Sequence, residues 1–183
     1  MRWQRLFADL EGEARELAAL DRDAEISERI RAEMAAVRWL ERLRGTVGSA
    51  VSLGVVAVGP VRAVVRYVGP DWVLLDDAGS DALVPAHAVI GLEGVARSAP
   101  ADTQPVPLTW AAAWRTLSRD RAEMRLTRTD GTAVSGTVGQ VGADFVELER
   151  STDDQHPSRA RLPRLLVPFR AICIAYTASE PEL

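Results

Sequence analysis

Lysine is absent from this chain, and all 22 basic residues are arginine. There is one cysteine, Cys173, so an internal disulfide is excluded. There are two histidines, and aromatic residues make up only 5% of the chain. No apolar run approaches the roughly 20 residues needed to span a bilayer. The first 30 residues carry charges throughout, which leaves no room for a signal-peptide apolar segment. These absences together point to a cytoplasmic protein with no membrane partner.

Phosphate-binding glycine loops, a nucleophile elbow and zinc-ligand spacing are also missing. His87 stands after Pro85, where the second repeat described below has Arg170, so the position reads as a surface polar site. His156 follows Asp153 and Asp154 in a polar loop with no second ligand cluster. Cys173 alternates with Ile172 and Ile174, and no base or cation flanks it to make a reactive thiolate. The chain therefore reads as a non-enzyme, with no catalytic residues, no metal ligands, no cofactor and no small-molecule substrate.

What is present is apolar content of 47%, enough to bury a core, and a net charge of −4. Charge is evenly spread. Residues 1–44 carry nine Arg against ten acidic residues, residues 45–100 three against five, and residues 101–183 ten against eleven. No basic block of the kind that dominates phosphate-backbone binding results.

Residues 4–44 read as helix, either one long helix or a hairpin with its corner at Asp21-Arg22-Asp23. One face carries Leu6, Leu10, Leu17, Ile26 and Ile30, a candidate interface. A continuous helix of that length spans roughly 60 Å at about 1.5 Å per residue, more than a small domain covers. From residue 50 short apolar runs alternate with Gly, Pro and Asp. The expected strands include Ala50–Val58 and Val61–Val68, split by Gly59-Pro60, then Trp72–Leu75, Ala82–Val84 and Ala88–Leu92. Residues 95–108 read as a linker, and Thr109 as the cap of a short helix to about Asp120.

The strongest feature is an internal repeat. Val68-Gly69-Pro70-Asp71-Trp72-Val73-Leu74-Leu75 matches Val141-Gly142-Ala143-Asp144-Phe145-Val146-Glu147-Leu148. Leu83-Val84-Pro85-Ala86-His87-Ala88-Val89-Ile90 matches Leu166-Val167-Pro168-Phe169-Arg170-Ala171-Ile172-Cys173 in the same order. The second copy has about ten extra residues before its fourth strand. It also has a hairpin signal at Asp130-Gly131, and Gly136 and Gly139 where a curved strand bends or meets another backbone. Trp72 and Phe145 are expected in barrel cores, and Asp71 and Asp144 as acceptors within their own turns.

The order of helix, five short strands, Asp130-Gly131, Gly136-Thr137-Val138, Gly142-Ala143-Asp144-Phe145-Val146-Glu147-Leu148 and Leu166-Val167-Pro168 resembles an Sm-like (SH3-type) small barrel. The first copy resembles it through Asp71-Trp72-Val73-Leu74-Leu75 and Leu83-Val84-Pro85. The start Arg5-Leu6-Phe7-Ala8-Asp9-Leu10-Glu11 resembles an actinobacterial family, some of whose members are called Fis-like transcriptional regulators. The expected fold is α+β, mainly β: helical residues 1–44, a five-stranded barrel over 45–94, the linker, a helix plus second barrel over 109–178, and a tail over 179–183. The Sm resemblance implies assembly through barrel edges and, in many members, RNA binding. The Sm base pocket does not carry over, because Gly142 and Val146 stand near where its Asp and Asn belong. Pro168-Phe169-Arg170 and Pro85-Ala86-His87 replace its glycine-preceded arginine.

Two functions follow as expectations. One is a binding and assembly module, with a protein partner or self-association through barrel edges and the N-terminal helix. The alternative is an RNA-binding or transcription-linked regulator, with anion contacts from Arg159, Arg161 and Arg164 in the long loop of the second copy.

Overall fold

From residue 50 on, short runs rich in branched apolar residues become strands, and several, such as Ala50–Val55 and Glu123–Arg128, turn one face inward. The computed structural model describes residues 25, 28–32, 34–96, 108–150 and 164–177. The chain divides into two compact units, Met1–Arg38 and Trp39–Leu183. In the first, residues 28–32 and 34–36 are helical and exposed. Among the described residues no helix is long and apolar enough to cross a membrane.

The second unit opens with helix α1 (Trp39–Arg44), which gives way to a turn at Gly45. Then come β1 (Ala50–Val55), β2 (Gly59–Val68), β3 (Trp72–Asp77), β4 (Ser80–Pro85) and β5 (Val89–Glu93). Helix α2 (Trp110–Arg119) leads into β6 (Glu123–Arg128), β7 (Ala133–Val141), β8 (Phe145–Glu149), β9 (Arg164–Pro168) and β10 (Ile172–Thr177). Single 3-10 turns, Ala86–Ala88 and Phe169–Ala171, separate β4 from β5 and β9 from β10. Thr109 caps α2, its hydroxyl accepting from the Ala112 N–H at 3.3 Å. The first hairpin turns at Val56–Val58, with Ala57 in the left-handed region at φ 60°. Gly59 and Pro60, expected to divide the strands, instead open β2 opposite Val55 and Gly54. A proline is tolerated at the start of a strand.

The repeat holds residue by residue. Pairing of Ala50 with Val64 recurs as Glu123 with Thr137, and Leu53 with Val61 recurs as Leu126 with Val134. Val73 with Val84 recurs as Val146 with Val167. The Ala86 N–H donates to the Asp71 carbonyl at 2.8 Å, and the Phe169 N–H donates to the Asp144 carbonyl at 2.7 Å. A bulge interrupts β1 against β5 at Gly54/Val55, and another interrupts β6 against β10 at Ile172/Ile174. At Gly136 an added Cβ would stand 2.5 Å from the Glu149 carbonyl oxygen, so β7 and β8 approach where the sequence places a glycine.

The expected pair of five-stranded barrels is overturned. All ten strands form one antiparallel sheet, in the order β5-β1-β2-β3-β4-β10-β6-β7-β8-β9. The physical cause is β10. It pairs with β6 of its own repeat and with β4 of the other, placing Ala175 opposite Leu83 and Tyr176 opposite Ala82. Each repeat keeps the same internal strand order, but the ladder runs on from one to the next.

Packing follows the same exchange. Cys173 and Ile174 of β10 are buried in a core otherwise built by α1 and the first repeat. Trp72 and Leu83 of the first repeat are buried in the other core, among Trp110, Trp114 and Phe169. Trp72 is thus a core residue, but of the second repeat. Phe145, its counterpart, is half-buried and belongs to neither cluster, a second departure from expectation. Asp71 departs too: its carboxylate accepts the backbone N–H of Trp110 at 2.8 Å, at the start of α2, and not a donor of its own turn. The Trp72 indole N–H donates to the Leu108 carbonyl at 2.8 Å.

Truncating a buried tryptophan costs about 3–5 kcal/mol. Trp72→Ala is expected to lower the stability of both repeats together, as one thermal transition in calorimetry. Two separated transitions, with only the first repeat weakened, would contradict the shared packing.

Candidate functional site

The charged groups of the Trp39–Leu183 unit are mostly committed to local structure. Arg66 donates to Asp76 across β2 and β3, and the Gly79 N–H donates to the same carboxylate at 2.8 Å. The hydrogen bond from Arg66, then that from Gly79, holds the Asp76 carboxyl below the usual range. Asp130 accepts the Thr132 hydroxyl at 2.6 Å and the Thr132 N–H at 3.0 Å, which lowers its carboxyl as well. Arg121 pairs with Glu149 at 2.8 Å. Burial pushes the Cys173 thiol up, away from the thiolate a nucleophile requires. Among the described residues no group of three or more His, Cys, Asp or Glu is gathered to hold a metal.

An open hollow of about 600 Å³ lies where the two repeats meet. Equivalent residues line it in pairs: Asp71 with Asp144, Pro85 with Pro168, and His87 with Arg170. Trp110 of α2 lies on the same hollow. His87 and Arg170 are both exposed, so the polar position read from the repeat is a surface one. Two carboxylates among so few cationic groups make a poor seat for a phosphate.

The other candidate surface is the pair of sheet ends. Among the described residues β5 pairs only with β1, and β9 only with β8. Each end exposes a large aliphatic side chain: Ile90 on β5 is 72% exposed and Leu166 on β9 is 50% exposed. No family model, curated protein or solved structure matches this chain. The surfaces therefore have to be read from their own geometry.

Of the residues singled out from the sequence, Arg164 begins β9, where its guanidinium lies 3.9 Å from the Glu147 carboxylate. Arg159 and Arg161 lie outside the described residues. Leu6, Leu10, Leu17 and Ile26 also lie outside them. Ile30 is 55% exposed in the Met1–Arg38 unit, with Met34 exposed four residues on. Sequence reasoning missed Ile90 and Leu166 as a pair. The signal lay in the repeat itself, since they stand where the other copy has Cys173 and Leu83.

At the junction the Tyr176 hydroxyl donates to the Asp77 carboxylate at 3.0 Å. Burial, then that hydrogen bond, pushes the phenol up to about 12. A pKa raised on folding stabilises fully below the unfolded value and is lost as pH rises toward the folded one. For Tyr176 that window runs from about 10 to about 12. Tyr176→Phe is expected to remove the highest step from a tyrosinate absorbance titration and to flatten the loss of stability in that window. A titration unchanged by the substitution would contradict the contact.

Proposed function

We propose that this chain is a non-catalytic assembly module that binds protein through the two end strands of its sheet. A strand paired on one side only offers a row of N–H and C=O groups that another strand can complete. The single observation that carries the reading is the exposure of Ile90 and Leu166 on those two strands. Native edges are commonly blunted with charge or proline, and here Glu93 on β5 and Arg164 and Pro168 on β9 stand beside exposed aliphatics that a pairing strand would cover. The exposed Ile30 and Met34 of the N-terminal helical residues support a second protein contact. RNA binding is the weaker reading, because Arg164 faces Glu147 and the hollow between the repeats carries Asp71 and Asp144.

A crosslinked pull-down from the native cell, with the wild-type chain and with Ile90→Lys plus Leu166→Lys, tests this. The wild type is expected to retain protein, further copies of itself included, and the variant to lose at least about tenfold of it, as charge at a desolvated contact costs several kcal/mol. Equal capture by both chains would contradict an edge-mediated function. Retention of RNA that survives the edge substitutions and falls with salt would favour the other reading.

A further inference from the structure

We infer that the occupant of these edges is a second copy of this chain, joined head to tail, with β9 of one copy against β5 of the next in the register of the internal β4–β10 junction. This rests on the edge-binding reading above and names its partner.

The molecule contains the template for its own interface. By the repeat, β9 is the counterpart of β4, and β5 is the counterpart of β10. Inside the chain β4 and β10 pair. Among the described residues their counterparts pair on one side only, at opposite ends of the same sheet. A second copy presents the missing partner to each.

Burial separates the used junction from the unused ends. Leu83 and Cys173 are 4% and 0% exposed, and their counterparts Leu166 and Ile90 are 50% and 72% exposed. Both positions are apolar in both repeats, yet only at the junction are they covered. Transferring the internal register, Ala175 opposite Leu83 becomes Leu92 of the next copy opposite Leu166. Likewise, Tyr176 opposite Ala82 becomes Glu93 of the next copy opposite Leu165.

Charge supplies an independent argument. Within the chain Tyr176 of β10 reaches Asp77 at the end of β3. The counterpart of Tyr176 is Glu93, and that of Asp77 is Arg150, which follows β8. Both are exposed. A hydroxyl–carboxylate contact at the internal junction thus becomes a glutamate–arginine pair between copies. The interface is heterologous, so repeated addition yields a ring if the rotation closes and an open filament if it does not.

Charge reversal on the full chain tests the arrangement. In a dilution series followed by light scattering, Arg150→Glu alone and Glu93→Arg alone each set like charges together. Each is expected to weaken self-association about tenfold or more. An equimolar mixture of the two variants again sets opposite charges at every interface. It is expected to return to within about twofold of the wild type, a cost below 0.5 kcal/mol. That recovery also shows both variants to be folded. Single variants that associate as the wild type does, or a mixture that recovers nothing, would overturn the inference. A wild type that stays monomeric while retaining other proteins through Ile90 and Leu166 would overturn it too and leave the edge-binding reading standing. A monomer that retains nothing would end both.

Discussion

One strand pairing decides the architecture of this protein. β10 completes the ladder of β4, and that contact turns two repeats of matching register into one ten-stranded sheet. Hydrogen bonds alone would make a modest link, since each contributes only about 0.5–1.5 kcal/mol net. Here the link is reinforced by exchanged side chains. Cys173 and Ile174 fill the first core, while Trp72 and Leu83 fill the second. Each fully buried aliphatic or aromatic side chain contributes about 1.5–3 kcal/mol. Asp71 adds a further tie by receiving the start of α2. Each repeat lends side chains to the core of the other.

The same pairing explains the character of the surface. A ladder that passes from repeat to repeat has two ends, and it leaves β5 and β9 as those ends. Ionisable groups in the described structure serve turns and cross-strand pairs, as Asp130, Asp76 and Arg121 show. The buried thiol of Cys173 is a packing group at the junction. In the proposed reading function falls to the backbone edges and the aliphatic side chains beside them, while Asp71 and Asp144 line the hollow between the repeats.

Much of this was legible in the sequence. The blocks around Asp71-Trp72 and Asp144-Phe145, and those around Val84-Pro85 and Val167-Pro168, identified the duplication, because residues that share a turn and a register share spacing. Thr109 and Asp130-Gly131 announced a helix cap and a hairpin through local hydrogen bonding and backbone freedom. Pairing between repeats was not legible. The apolar pattern of β10 states that both its faces are buried, and not which strand lies on each side. A five-stranded unit and a shared sheet give the same local periodicity. For the same reason Trp72 read as a core residue of its own repeat, and Asp71 as the acceptor of its own turn. The turn at Val56–Val58 was missed because Ala57 adopts a left-handed conformation that alanine seldom signals. The candidate edge was half visible. Ile90 and Leu166 were aligned with Cys173 and Leu83, but only coordinates distinguish an aliphatic residue that is covered from one that is not.

Amide hydrogen exchange, resolved by residue and followed over a range of protein concentrations, tests the central claim most directly. The account predicts that β4 and β10 are protected alike at every concentration, because their pairing is internal. It predicts that β5 and β9 exchange quickly when dilute and become protected in step as concentration rises. Junction amides that exchange as fast as the sheet ends, or ends already protected in dilute solution, would contradict it.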